Sequence, residues 1–234
     1  MLCHKYKCLF VHIPKTAGQS IEHVFLSLLM LNWTTRAPLL LRPNNDPHNG
    51  PPSLAHLKAS EYVMCNHITQ EQFDSYFKFS FVRNPWDRIV SEYKYRGYPK
   101  KFDFKTYLFK KLPEDSWSDI YRHIIPQYDF LFDDNGNLLV DFIGYFENLQ
   151  KDFDEVCRKL GIPVTLLPFV NKSLKDMNIS KNLKYPMKIL INLMRYFKQK
   201  KNTFKHYTEY YDDESKEFVS HLYRKDIETF KYKF

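Results

Sequence analysis

Two short segments hold the residue types and spacings best suited to chemistry. The first is His12-Ile13-Pro14-Lys15-Thr16-Ala17-Gly18-Gln19-Ser20, set between a strand-like run and a helix-like one. A strand–turn–helix junction presents free backbone N–H groups and the positive end of a helix dipole to an anion. Ala17 and Gly18 are small enough to let a phosphate approach the backbone, Lys15 adds a mobile positive charge, and Thr16 and Ser20 carry hydroxyl donors. The segment is not a Walker A loop, because no G-x-x-x-x-G-K-[ST] is present and the lysine precedes the glycine. A basic turn ahead of a capped helix would explain the same nine residues. The second segment pairs Arg83 with Ser91, eight residues on. An arginine fork with a nearby hydroxyl is a cradle for a second phosphate. Singly, each has a structural explanation: Arg83 paired with Asp87, Ser91 on a solvated helix face.

The elements needed to position these residues are legible around them. Cys8–Ile13 is an apolar run of the kind that forms a buried strand. After the turn Pro14–Gly18, the residues Ile21, Val24, Phe25, Leu28 and Leu29 recur at helical spacing. Residues 34–58 hold five prolines and many asparagines and read as a long exposed loop. A second strand is expected at Glu61–Asn66 and a third at Phe77–Val82, where three phenylalanines alternate onto one face. Arg83 ends that third strand, at the carboxyl end where open α/β sheets bind ligands. Asn84, Pro85 and Asp87 then fit the N-cap, first and third positions of a helix. Asp133–Asn137 is a turn, Leu138–Phe146 a strand, and Asn148 the cap of a helix ending at Gly161. A last helix is expected from Asp213 to Phe230. Strands alternating with helices predict an α/β domain with a central, mostly parallel sheet flanked by helices.

The 234 residues suffice for one domain spanning 1–234 with a real core, and 17% aromatic content excludes a disordered chain. Four cysteines without C-x-x-C spacing argue against a disulfide scaffold or a zinc site and suit a reducing compartment. The longest uncharged apolar run, Val24–Trp33, has ten residues, whereas a bilayer span needs about 20. With a strand starting near Cys8 there is no room for a signal peptide, so a soluble, cytoplasmic protein is expected. Of the net charge of +8, all of it falls between Leu174 and Lys205, which carries nine basic residues against Asp176. Charge so localised does not suggest a nucleic-acid partner.

Together the two segments are more specific than either. Ile13-Pro14-Lys15-Thr16-Ala17-Gly18-x-Ser20 and Phe79-x-Phe81-Val82-Arg83-Asn84-Pro85-Trp86-Asp87-Arg88-x-x-Ser91 resemble the two signature loops of sulfotransferases that use 3′-phosphoadenosine 5′-phosphosulfate, in particular the carbohydrate branch with its bacterial members. The resemblance continues at Val140–Leu149, at Leu167–Ser173 and in the tail Tyr207–Phe234, and so covers most of the chain. It implies a single domain of the P-loop-NTPase-like fold. It also implies that Lys15, Thr16, Ala17, Gly18, Gln19 and Ser20 wrap the 5′-phosphosulfate, and that Arg83 and Ser91 bind the 3′-phosphate. Asn171, Lys172 and Ser173 look like the later stretch that closes over the nucleotide.

The activity so implied is in-line transfer of a sulfuryl group to a hydroxyl, on a saccharide or glycan acceptor, with adenosine 3′,5′-bisphosphate as product. By analogy with phosphoryl transfer the transition state is loose, so charge builds on the leaving 5′-phosphate, where Lys15 stabilises it. No metal is expected. A histidine suits the base that the acceptor needs at neutral pH. His56, in Leu54-Ala55-His56-Leu57-Lys58-Ala59-Ser60-Glu61, matches a histidine segment placed ahead of the second loop in related bacterial sequences. His67 is the rival, and His12 reads as a packed strand residue.

The basic stretch 174–205 is longer than the pattern, and Pro186–Phe197 within it is apolar enough for an amphipathic basic helix. It suits a clamp for an acidic glycan, a membrane-surface contact through residues 186–205, or a solvated helix packed on the domain. Two other classes of function compete. A kinase-like nucleotide enzyme lacks its Walker lysine and a magnesium aspartate, and a catalytically silent glycan- or membrane-surface-binding protein would use the basic stretch alone.

Overall fold

A computed structural model describes residues 1–168 and 206–234. Asn171, Lys172 and Ser173, the basic stretch 174–205 and its part 186–205 lie outside the described residues.

Four strands, β1 (Leu2–Cys3), β2 (Cys8–Val11), β3 (Phe77–Val82) and β4 (Phe142–Tyr145), form one sheet in that order. β1 runs antiparallel to β2, whereas β2, β3 and β4 are parallel, with Phe10 opposite Phe79 and Phe79 opposite Phe142. The carboxyl ends of the three parallel strands therefore share one edge, the place where an open α/β sheet builds its ligand site. The helices are α1 (Gly18–Leu28), α2 (Glu61–Met64), α3 (Gln70–Ser75), α4 (Pro85–Tyr95), α5 (Phe104–Lys110), α6 (Asp119–Arg122), α7 (Tyr128–Leu131), α8 (Leu149–Leu160), α9 (Asp213–Leu222) and α10 (Arg224–Phe230).

Alternation along β2 divides the core. Leu9 and Val11 enter a cluster with Tyr62, Phe73, Phe130 and Leu131. Cys8 and Phe10 enter a second, with Phe79 and Phe81 of β3, Phe25 of α1 and Phe153 of α8. A third cluster joins α4, α5 and α9 through Trp86, Ile89, Tyr93, Tyr107 and Val219. This is the predicted α/β fold, a mostly parallel sheet with helices on both faces.

Several elements differ from their sequence expectation. Glu61–Asn66 is not a strand: Glu61–Met64 is one turn of helix, with Tyr62 and Cys65 buried three residues apart and Glu61 paired with Arg122. The stretch 34–58 is less exposed than its prolines suggest, since Leu39, Leu41, Leu54 and Leu57 are buried. Asn148 precedes α8 but makes no side-chain cap. Asp152 instead accepts from the Tyr145 amide at 2.7 Å. Gly161 ends α8 at φ 64 as expected. The expected last helix is two, broken at Tyr223, whose hydroxyl donates to the Ile124 carbonyl at 2.8 Å.

Candidate active site

Two corners build the site. β2 ends at Val11, and the chain turns through Lys15 (φ 72) and Ala17 (φ 69) into α1. Both angles are unfavourable for residues with a side chain. No side chain among the described residues caps α1. Gly18 is required here because a Cβ on it would run into the His12 ring. At the end of β3, Asn84 caps α4 through its Oδ1, accepting from the Trp86 and Asp87 amides at 3.1 and 3.4 Å.

α4 ties the corners together. Arg83 Nη1 donates to the Lys15 carbonyl at 3.0 Å, and buried Arg88 donates through Nε to the Pro14 carbonyl at 3.1 Å. The Arg83 backbone is held on both sides by the Gln127 side chain, at 2.9 Å from its N–H and 2.8 Å from its carbonyl. Its guanidinium also pairs with Asp87 at 2.8 Å and lies 4.1 Å over the Phe146 ring. Thus the structural partner expected for Arg83 taken singly is present, yet the group still borders the cleft.

That cleft has a volume of about 460 Å³, and Lys15, Ser20, His56, Arg83, Ser91 and Arg96 are among its lining residues. Ala17, Gly18 and Gln19 line it too. Thr16 does not. It is fully buried and its hydroxyl donates to the Ile13 carbonyl at 2.8 Å, so it braces the turn rather than offering a donor to the cleft. Lys15 Nζ sits 3.8 Å over the Tyr95 ring. Burial lowers the Lys15 ammonium to about 8, with Glu92 opposing the shift and Arg83 and Arg96 adding to it.

His56 stands where this cleft meets a second cavity of about 210 Å³, and His12 and Gln19 line both. The second cavity brings Arg36, Arg42 and Ser53 to the far side of His56. His67 lines neither cavity, and its Nε2 is 2.7 Å from the Asn49 carbonyl. His12 is buried as expected, with Nδ1 2.7 Å from Glu22, and it meets the His56 ring edge-on at 5.0 Å between centroids.

A family model described as sulfotransferase family matches residues 1–233. The chain belongs to the sulfotransferase family. It is a transferase of sulfuryl groups, in the P-loop-like fold that its sheet and first corner display. An uncharacterized protein of Archaeoglobus fulgidus is 35% identical over 117 residues, which are 49% of this chain and 92% of that protein. No solved structure matches. Among the described residues no helix is long and apolar enough to cross a membrane.

The candidate site also contains residues without any sequence signal. Asp119 Oδ1 is 2.7 Å from His56 Nδ1, and its other oxygen is 3.6 Å from His123 Nε2. His123 Nδ1 is 2.8 Å from Glu92, whose second oxygen takes Arg96 Nε at 2.6 Å. His56, Asp119 and His123 offer polar atoms within 4.8 Å of one another. Hydrogen bonds join His56 to Asp119 and His123 to Glu92, and the 3.6 Å between His123 and Asp119 is an ion-pair distance. Burial lowers His56 to about 4, with the Asp119 hydrogen bond opposing it, so the ring is neutral at ordinary pH. Burial works against the charged forms of His123 and Asp119 as well. Their mutual contact, with Glu92 on His123 and His56 on Asp119, nevertheless holds His123 above and Asp119 below its ordinary range.

Proposed function

We propose that the chain transfers the sulfuryl group of 3′-phosphoadenosine 5′-phosphosulfate to a hydroxyl of a carbohydrate. The observation that carries this reading is the Arg83 Nη1 contact to the Lys15 carbonyl at 3.0 Å, which unites the two corners around one cleft. The residues suit such a donor. Arg96 lines the cleft and brings it a positive charge suited to an anion.

The bound nucleotide supplies a sulfuryl group on a good leaving phosphate; the rest is the work of the chain. Lys15 and the α1 amides hold the 5′ end and stabilise the charge that develops on the leaving oxygen. Arg83 and Ser91 hold the 3′-phosphate. His56 Nε2 takes the acceptor hydroxyl proton as the new O–S bond forms and the old one breaks, its electron pair leaving with the phosphate. The acceptor approaches through the second cavity, where Arg36, Arg42, Ser53 and Gln19 suit a hydroxyl-rich molecule. Asn171, Lys172 and Ser173 close over the nucleotide in this reading, and no metal takes part.

The test has two parts. Adenosine 3′,5′-bisphosphate at one hundred times its dissociation constant should stabilise the fold by about 2.7 kcal/mol, read as a raised melting temperature. Labelled sulfate should then move from the donor to at least one member of a panel of saccharides, lipids and small alcohols. No thermal shift overturns the nucleotide assignment. Transfer to an alcohol or lipid alone overturns the carbohydrate assignment. Glycan binding that survives Lys15→Ala, with no transfer, favours a catalytically silent binder.

A further inference from the structure

We propose that Asp119 and His123 are positioning residues for His56: Asp119 fixes its Nδ1–H so that Nε2 faces the cleft, and His123, clamped between Asp119 and Glu92, holds Asp119 in place. The inference rests on the assignment of His56 as the base.

The geometry is a row in which basic and acidic side chains alternate. Arg96 Nε meets Glu92 at 2.6 Å, Glu92 meets His123 Nδ1 at 2.8 Å, His123 Nε2 stands 3.6 Å from Asp119, and Asp119 meets His56 Nδ1 at 2.7 Å. Each anion sits between two donors, and His123 sits between two anions. His123 and Glu92 are buried, so breaking one link leaves a polar group unpaired at high cost. The row is anchored at both ends. α4 supplies Ser91 and Glu92 and is followed directly by Arg96, so one helix and its C-cap carry part of the phosphate cradle and the back of the row. At the other end Arg122 Nε donates to the His56 carbonyl at 2.9 Å, and Arg122 is itself buried and paired with Glu61.

A histidine has two ring nitrogens, and which one carries the proton is set by the partner of the other. Asp119 accepts at Nδ1, so the lone pair for a substrate proton is on Nε2. When Nε2 takes that proton, the imidazolium forms beside the Asp119 carboxylate. This is the role of the aspartate in a Ser-His-Asp triad. His12 meets His56 from the end of β2, with Glu22 of α1 behind it, so the ring is constrained on two sides. The row also touches the donor side: Tyr95 stacks on His123 at 6.0 Å and carries Lys15 Nζ 3.8 Å over its ring.

The titratable groups facing His56 are Asp119, which favours its protonation, and His123 and His12, which oppose it. Asp119→Asn and His123→Gln should therefore move the His56 titration in opposite directions, down for the first and up for the second. Two readouts decide. The first is kcat against KM: Asp119→Asn should lower kcat on the order of 10²–10⁴-fold, the range for a lost acid–base function. His123→Gln should lower it less, with the affinity of both for adenosine 3′,5′-bisphosphate kept. The second is the His56 ring titration followed by NMR in the nucleotide-free protein, which needs no turnover. Opposed shifts with kcat reduced support the proposal. Unchanged kcat, shifts of one sign, or a loss confined to nucleotide affinity overturn it. If the parent transfers no sulfate at all, the functional reading fails, while the NMR titration still decides whether Asp119 and His123 govern His56.

Discussion

At the corner after β2, α1 starts at Ala17 with φ 69 and no side-chain cap among the described residues. At the corner after β3, Asn84 Oδ1 takes up the amides of Trp86 and Asp87. The two corners lie side by side on one sheet edge and are joined through Arg83, yet they offer an anion different things. The first has no side-chain cap on its helix among the described residues, which suits a group needing several donors in fixed positions. The second has spent its amides on its own cap and is left with side chains, an arginine fork and a serine hydroxyl. A helix start can be made stable by a cap or kept ready for a ligand, and this cleft uses one of each. The cost of the uncapped corner is visible in its backbone, where Lys15 and Ala17 both hold positive φ. Such strain is on the order of 1–3 kcal/mol per residue and persists only where neighbours enforce it. Here Arg83 and Arg88, on the Lys15 and Pro14 carbonyls, are those neighbours.

The largest effect is expected at the backbone corner. Gly18→Ala sets a methyl group against the His12 ring and presses on the His12–Glu22 pair. Overpacking of this kind costs about 1–3 kcal/mol, so the melting temperature should fall. Adenosine 3′,5′-bisphosphate should no longer raise it. A Gly18→Ala protein that still binds the nucleotide as the parent does would mean that close approach to the α1 amides is not what the first corner provides.

At the side-chain corner the expected loss is smaller and selective. Arg83→Ala removes charge-assisted hydrogen bonds worth about 1.5–3 kcal/mol, which is roughly ten- to a hundredfold in affinity for adenosine 3′,5′-bisphosphate. Adenosine 5′-phosphosulfate, which lacks the 3′-phosphate, provides the contrast: its binding should change much less. Equal losses for both nucleotides, measured by calorimetry, would assign Arg83 to holding the Lys15 carbonyl rather than to the 3′-phosphate.

How far each part was legible follows from the range of the forces involved. The β3–α4 corner is written in neighbouring residues: alternating phenylalanines, then Asn84, Pro85 and Asp87 in cap order, and the structure has all of them in those roles. The turn at Glu61 reads as a strand because Tyr62 and Val63 favour one, and one helical turn is too short to reveal its period. What settles it is distant, the burial of Tyr62 and the Glu61–Arg122 pair. The row behind His56 is the extreme case. Asp119 is 63 residues from His56, at the start of a single Ser118-capped helical turn too short to reveal its period, and only the packing of α6 against the 54–56 turn unites them. Residue types at the corners therefore foretold which two turns would border the cleft, while the partners of His56 depended on tertiary contact.

The smallest effect separates two hydroxyls that look equivalent in the sequence. Thr16 and Ser91 each sit in one of the corners, but the Thr16 hydroxyl is fully buried on the Ile13 carbonyl, whereas Ser91 lines the cleft. Thr16→Val keeps the shape and removes one internal hydrogen bond, so it should cost about 0.5–1.5 kcal/mol of stability with little change in nucleotide affinity. Ser91→Ala should do the reverse, weakening nucleotide binding by a similar amount of free energy while leaving the melting temperature of the free protein near that of the parent. Thermal denaturation with and without adenosine 3′,5′-bisphosphate reads both effects in one experiment. If Thr16→Val loses affinity and keeps its stability, the Thr16 hydroxyl must turn outward when the nucleotide binds, and the first corner would then use a side chain as the second one does.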